Sequence, residues 1–134
     1  MLSDKLDDRL ILCSNDLITD VLDCAFTVHK ELGAGLLESV YEKALLFEMK
    51  FLGLEVKEQV EIPVVYRGVD LGIGFRADLI VNNSLLLELK CVENINSTHL
   101  AQTITYLKLL NYKRGLILNF NVVLLKNGIK RVSI

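Results

Sequence analysis

The hydrophobic repeat of this chain changes near Gly53, and that change constrains the fold more than any other feature. Before Gly53, apolar residues recur every three to four positions, which is the spacing of an amphipathic helix. After it, apolar residues alternate from Val60 to Tyr66, which is the period of a half-buried strand. Helices and strands in one short chain bury their apolar faces against each other, so the sequence predicts an α/β fold.

Two helices joined by a glycine turn are predicted before the change. The first runs from about Asp16 to Leu32, and either Ser14 or Asn15 can cap it. The second runs from about Leu36 to Leu52 and stops at Gly53. The residues expected to face inward on the second helix are Leu37, Val40, Ala44, Leu45 and Leu52.

Strands dominate the remainder, with one further helix between them. Turn residues separate the strands at Arg67-Gly68, at Asn82-Asn83-Ser84 and at Asn127-Gly128, the last being a strong hairpin signal. The predicted order is ααβββαβββ, a mixed central sheet flanked by helices. After the second helix, the predicted elements are strands at about Val60–Tyr66, Gly72–Val81 and Leu85–Cys91, a helix at Thr98–Asn111, and strands at Gly115–Phe120, Val122–Lys126 and Ile129–Ser133.

Length and composition indicate one domain of 134 residues, of which residues 1–15 form an N-terminal extension. No apolar run approaches the ~20 residues that a membrane helix needs. The start of the chain lacks the features of a secretory signal. Three cysteines without a CxxC pair favour a reducing compartment, so we expect a cytoplasmic protein.

Charged residues stand in two strands that are otherwise apolar. Asp78 interrupts one strand, and Glu88-Leu89-Lys90 ends the next. A buried, unpaired carboxylate costs several kcal/mol, so each of these acids needs a partner. If Asn82 to Ser84 form a three-residue loop, Asp78 lies directly opposite Glu88. One face then carries the apolar residues Ala77, Leu79, Val81, Leu85, Leu87 and Leu89, and the other carries Arg76, Asp78, Ile80, Leu86, Glu88 and Lys90.

Two facing carboxylates repel each other unless a cation lies between them. Oxygen ligands without a His or Cys cluster point to Mg²⁺ or Mn²⁺ rather than zinc. Lys90, on the same face, could stabilise negative charge on a phosphodiester. A salt-bridge network on a solvated sheet face would place the same residues together, and the residues alone leave both interpretations open.

The order of these motifs resembles the PD-(D/E)XK nuclease superfamily, in which an Asp on one strand precedes a hairpin and Glu-x-Lys. Gly35-Leu36-Leu37-Glu38-Ser39-Val40-Tyr41 is similar to the motif that names the GxxExxY family within it. Gln102-Thr103-Ile104-Thr105-Tyr106 resembles its QxxxY motif. The resemblance implies a restriction-endonuclease-like core over almost the whole chain.

The resemblance also implies roles for individual residues. Asp78, Glu88 and the main-chain carbonyl of Leu89 would bind the metal, Lys90 would be catalytic, and Glu38 would be the helical acid that joins the site. Gln102 and Tyr106 would line the site and contact nucleic acid. Structural alternatives exist, because an acid in the first turn stabilises a helix N-terminus, and residues four apart on a helix can bond each other.

The charge of the chain is unevenly distributed. The first 93 residues carry nine basic and 17 acidic residues, a net −8, whereas the last 41 carry six basic residues and no acid. This asymmetry indicates a polyanionic partner, unless the fold mixes the two halves on its surface. The expected phosphate contacts are Lys108, Lys113, Arg114 and Lys130.

The function that these features predict is a Mg²⁺-dependent nuclease, acting on DNA in preference to RNA. The alternative is a non-catalytic nucleic-acid-binding or protein-interaction module that retains the nuclease fold. A homodimer is plausible, because cutting two strands often requires two active sites. No membrane association is expected.

Overall fold

The computed structural model describes residues 14–134 and confirms the predicted fold class, a mixed sheet flanked by helices. Most of the predicted N-terminal extension lies outside the described residues, and Asn15 already belongs to the first helix. The elements are α1 Asn15–Leu32, α2 Glu38–Phe51, β1 Val56–Tyr66, β2 Val69–Val81, β3 Leu85–Lys90, α3 Ser97–Leu110, β4 Arg114–Asn119 and β5 Ile129–Ser133.

The sheet has the strand order β1-β2-β3-β4-β5. Every neighbouring pair is antiparallel except β3 and β4, which are parallel. A parallel pair requires a crossover connection, and α3 supplies it. The carboxyl ends of β3 and β4 therefore lie at the same edge of the sheet.

Two hydrophobic clusters lie on opposite faces of this sheet. One packs α1 and α2 against residues such as Leu79 and Leu87, and the other packs α3 against residues such as Ile80 and Leu86. The part of the sheet near β3 and β4 is thus covered on both faces, as in other α/β folds. Within residues 14–134, no helix is long and apolar enough to cross a membrane.

The α2 helix buries only part of the stripe that the sequence predicts: Leu45 is buried and Ala44 is half-buried, whereas Leu52 is exposed. Its buried residues are Tyr41, Leu45 and Met49, whereas Leu37 and Val40 are exposed. The Tyr41 hydroxyl fixes this orientation, because it donates to the carbonyl of Gly33 and accepts from the amide of Leu36. Its ring also stacks on Phe120 at 4.6 Å between centroids.

The strand predicted at 122–126 and its hairpin at Asn127-Gly128 are wrong. A loop and a short 3₁₀ helix at Leu125–Gly128 take their place. The side chain of Asn119 ends β4 by donating to the carbonyl of Val92 at 2.8 Å and accepting from the amide of Asn121 at 3.1 Å. The chain then turns away, and Gly128 packs so closely against the Asn119 carbonyl that a Cβ would not fit.

The hairpin of β1 and β2 extends past the end of β3. Its predicted turn at Arg67-Gly68 is confirmed. The register shifts between Pro63 and Val65, opposite the part of β2 where Gly72 has φ of 72°. This distal part of the hairpin is mostly exposed.

Candidate active site

The predicted register between β2 and β3 is confirmed. Val81 pairs with Leu85, and the two strands continue antiparallel to Leu79 and Leu87. The loop between them has three residues, in which Asn82 and Asn83 adopt φ of 50° and 51°. Continuing this register brings Asp78 opposite Glu88.

The prediction of one clean polar face is wrong. Ile80 and Leu86, expected on that face, are buried beneath α3. Ala77, expected on the apolar face, belongs to the same cluster beneath α3. Alternation along β2 breaks at Asp78. On the neighbouring strand β1, Gln59 lies between the positions paired with Ala77 and Leu79 and has φ of 50°.

The two carboxyl groups occupy different surroundings. Asp78 Oδ2 accepts a hydrogen bond from the amide of Leu89 at 2.8 Å. Glu88 is only 5% exposed, and its buried Oε1 has no hydrogen-bond partner. Burial, followed by the adjacent Asp78 carboxylate, raises the pKa of Glu88 to about 9. In the absence of a cation, Glu88 therefore retains its proton at neutral pH.

Lys90 and Glu38 complete the group at this edge of the sheet. The charge of Lys90, at the end of β3, partly opposes the upward shift in the pKa of Glu88. Glu38 lies in the first turn of α2, and its pKa is raised by burial and then by the charge of Asp78, while Lys90 opposes the shift. The charges of Asp78 and Lys90 thus act on both Glu38 and Glu88, although the three acids do not lie close enough to form a metal-binding group among the described residues.

Helix α3 places Tyr106 against the same group. Tyr106 is buried, and its pKa is raised first by burial and then by the charges of Glu88 and Asp78. Its ring contacts that of Phe75, at 5.1 Å between centroids. Gln102 is exposed one turn earlier on α3. The sequence analysis did not predict that Phe75 lies near the site, because the only sequence signal is its position in the alternating pattern of β2.

The four predicted phosphate-binding residues are spread over the molecule. Lys130 is closest in register to the site, because it pairs with Ile117, which pairs with Glu88. Two strand spacings separate Lys130 from Glu88, roughly 10 Å. Arg114 lies at the opposite end of the sheet, where its guanidinium donates to Asn15 Oδ1 at 3.0 Å.

The other two lysines do not join the site. Lys113 is exposed beside Arg114, at the amino end of β4. Lys108 is exposed in the last turn of α3, at the end of that helix remote from its capping residue Asn96. Only Lys130 of the predicted set therefore lies in the row that contains Glu88.

Asn119 is a further residue of this region that sequence reasoning did not single out. It pairs with Lys90 across β3 and β4, and its amide side chain binds both the amide and the carbonyl of Val92. These bonds fix the chain as it leaves β3, directly after Lys90. The available signal was a polar residue inside the apolar run that forms β4.

The donor atoms fit a hard cation only in part. Within residues 14–134, no three His, Cys, Asp or Glu side chains form a group that could hold a metal ion. The Asp78–Glu88 pair supplies oxygen donors, and the unpartnered Oε1 of Glu88 is a buried acceptor that a cation would satisfy. Mg²⁺ and Mn²⁺ accept such oxygens and complete their coordination with main-chain carbonyls and water. The residues therefore fit one of these ions in part, with Asp78 and Glu88 as the side-chain donors.

The raised pKa of Glu88 predicts that the stability of the cation-free protein depends on pH. Between the ordinary glutamate pKa of 4.5 and about 9, the folded chain binds more protons at this site than the unfolded chain. The stabilisation is complete below that range and is lost progressively as pH rises through it. In EDTA, urea unfolding should show the free energy of unfolding falling by a few kcal/mol over this range.

Glu88→Gln is the matched control, because glutamine has nearly the same shape and does not titrate. The fall with pH should be smaller in this variant than in the parent chain. If Glu88 binds Mg²⁺, saturating Mg²⁺ should flatten the profile of the parent, since a bound cation would replace the proton. Parallel pH profiles for parent and variant would contradict the assignment of the shifted pKa to Glu88.

The fold and this site define an α/β protein with an Asp on one strand and Glu-x-Lys on the next. The sequence profile of the PD-(D/E)XK nuclease superfamily matches residues 15–132, and the chain belongs to this superfamily. Its members are usually nucleases that act on nucleic acid and typically use Mg²⁺ or Mn²⁺. No curated protein and no solved structure matches the chain.

Proposed function

We propose that this protein is a Mg²⁺-dependent nuclease that hydrolyses phosphodiester bonds of nucleic acid, with DNA as the preferred substrate. The observation that carries the proposal is the Asp78–Glu88 pair beside Lys90, in which the buried Oε1 of Glu88 has no partner. Membership of the nuclease superfamily supports the same activity. The segment from Gly35 to Tyr41 supports assignment to the GxxExxY family within it.

The proposed cation ligands are Asp78, Glu88 and the main-chain carbonyl of Leu89, with Glu38 contributing from α2. Such a cation lowers the pKa of water and neutralises charge at the scissile phosphate. The hydrogen bond from the Leu89 amide orients Asp78 for this task. The amino end of α2 adds a partial positive charge beside Glu38.

Lys90 is the proposed catalytic residue, because its ammonium group can stabilise negative charge that develops on the phosphate. The proposed contacts to nucleic acid near the site are Gln102, Tyr106 and Lys130. Lys108, Lys113 and Arg114 would contact only a substrate that is long enough to extend away from the site. Phosphate contacts of this kind make binding weaken as salt concentration rises.

A second candidate function is a non-catalytic nucleic-acid-binding or protein-interaction module. One observation favours it: among the described residues, no group of three potential side-chain ligands forms a metal site. The two candidate functions differ in whether Asp78 and Glu88 bind a cation tightly enough to support hydrolysis.

A cleavage assay tests the proposal directly. The full chain is incubated with supercoiled plasmid, linear duplex, single-stranded DNA and single-stranded RNA, each in Mg²⁺, Mn²⁺ or EDTA. We expect cleavage in Mg²⁺ or Mn²⁺ and none in EDTA, because the proposed mechanism requires a cation bound by the two carboxylates. DNA should be cut faster than RNA.

The opposite results are equally informative. Cleavage that persists in EDTA would contradict the metal-dependent mechanism. Salt-sensitive binding without cleavage in any metal would favour the non-catalytic alternative. Absence of both binding and cleavage would reject a nucleic-acid substrate and favour a protein-interaction module.

A further inference from the structure

Helix α2 carries two apolar stripes, and the fold buries one of them. Tyr41, Leu45 and Met49 form the buried stripe against the sheet. The other stripe begins at the residue that precedes the helix and continues to its last residue. We call it the α2 seam; its members are Leu37, Val40, Ala44, Phe47 and Phe51.

Most of the α2 seam is open to water. Leu37, Val40, Phe47 and Phe51 are 74%, 40%, 67% and 83% exposed, while Ala44 is half-buried. The rings of Phe47 and Phe51 stack on each other at 6.4 Å between centroids. A contiguous exposed patch of large apolar side chains marks an interaction surface more often than isolated exposed residues do.

The spacing of the seam identifies the geometry of its partner. Its members are separated by three, four, three and four residues, which is the heptad pattern of two helices packed at a shallow angle. A second helix with the same spacing complements such a seam. Another copy of α2 has that spacing by definition, and a two-fold axis would make the contact self-complementary.

Charges beside the seam determine the relative direction of the two helices. Lys43 flanks it on one side and Glu48 on the other, five residues later. In a parallel pair, these two positions face each other across the interface, so Lys43 would meet Glu48 of the partner subunit twice. An antiparallel pair would instead place the side bearing Lys43 and Lys50 against its own copy, and like charges would repel.

Existing contacts of these residues are compatible with the parallel pair. Lys43 already donates to Glu58 of β1 at 2.9 Å. An ammonium group has three donors, so Lys43 can also bind a second carboxylate. Glu48 is half-exposed between α1 and the seam.

We propose that the α2 seam is a homodimer interface, in which a second copy of this chain packs its α2 parallel to the first about a two-fold axis. The parallel arrangement places both amino ends of α2, and therefore both Glu38 residues, at the same end of the dimer. If the proposed nuclease function holds, the two active sites would face one substrate from the same side. The dimer itself does not depend on that function.

Sedimentation equilibrium of the full chain, in EDTA and without nucleic acid, tests the interface. We expect a reversible dimer of twice 15.1 kDa. Replacing both seam aromatics, Phe47→Ser with Phe51→Ser, should raise the dissociation constant about 100-fold or more, as expected when two central aromatic contacts are lost. Both side chains are exposed in the single chain, so circular dichroism should show an unchanged fold.

Ile73→Ser is the matched control. Ile73 is 69% exposed on the β1–β2 hairpin, comparable to Phe47, but lies outside the seam. This variant should dimerise like the parent chain. The proposal would be overturned if Ile73→Ser abolished dimerisation while the variant lacking both seam aromatics still dimerised. That result would place the interface on the hairpin.

Charge exchange tests the parallel direction. Lys43→Glu or Glu48→Lys alone should weaken the dimer several-fold, and the two together should restore it, because the pairs reform with exchanged signs. No recovery in the double variant would reject the parallel pairing. A parent chain that stays monomeric at every accessible concentration would reject the interface. A dimer without nuclease activity would count against the proposed function alone.

Discussion

Asp78→Ala should abolish cleavage and weaken Mn²⁺ binding in the same variant. The substitution removes one of the two carboxylates of the proposed cation site and leaves Glu88 without its neighbour. Loss of a ligand that carries several kcal/mol of transition-state stabilisation corresponds to a rate about 10³-fold lower or more. Titration calorimetry with Mn²⁺ and a plasmid cleavage assay on the same preparation measure the two effects.

Asp78→Asn separates chemistry from folding. Asp78 Oδ2 accepts the hydrogen bond from the Leu89 amide, and alanine would leave that buried donor unpaired, at a cost of about 1–3 kcal/mol. Asparagine retains an acceptor oxygen without the charge. Asp78→Asn should therefore be nearly as stable as the parent and still fail to cleave.

Asp70→Ala provides a matched control on the same strand. Asp70 is exposed near the turn of the β1–β2 hairpin, where it accepts from the amide of Gly72 at 2.9 Å. This variant should cleave like the parent. Full activity in Asp78→Ala, or a comparable loss in Asp70→Ala, would remove Asp78 from the proposed site.

The convergence of Asp78 and Glu88 was predictable because it depends on local geometry alone. Side chains alternate along a strand, and the three-residue loop fixes the register, so the positions follow from counting residues. The turn chemistry of Asn82 and Asn83 made that loop length identifiable. The break in alternation at Asp78 was not predictable, because nothing in the sequence of β2 marks it; it coincides with a positive φ at Gln59 on the neighbouring strand.

The orientation of α2 was predicted only in part, with Leu45 correctly placed in the core, because the helix carries two apolar stripes. Helical periodicity identifies a stripe but does not say which of two faces the core. The choice depends on Tyr41, whose hydroxyl binds the turn that precedes the helix and whose ring stacks on Phe120. Phe120 lies 79 positions later in the sequence, so only the tertiary structure brings the two rings together.

The uneven distribution of charge along the sequence also does not correspond to a single basic region of the structure. The basic residues of the last 41 positions are distributed between both ends of the sheet, with Arg114 remote from the site and Lys130 in its row. Linear charge therefore did not locate a binding surface. Among the motif residues, the charges of Asp78 and Lys90 act on both Glu38 and Glu88, and the charges of Glu88 and Asp78 act on Tyr106.

Lys90→Ala should fail in a different way from Asp78→Ala, and the difference distinguishes a catalytic residue from a cation ligand. The variant keeps both carboxylates and removes the positive charge beside them, so the affinity for Mn²⁺ should be unchanged or higher. The cleavage rate should fall by about 10²-fold or more, the scale of one lost electrostatic stabiliser. Lys57→Ala, an exposed lysine on β1, should leave both properties unchanged. A fall in Mn²⁺ affinity that accounts for the whole loss of rate would mean that Lys90 supports the cation site, and unchanged cleavage would exclude it from catalysis.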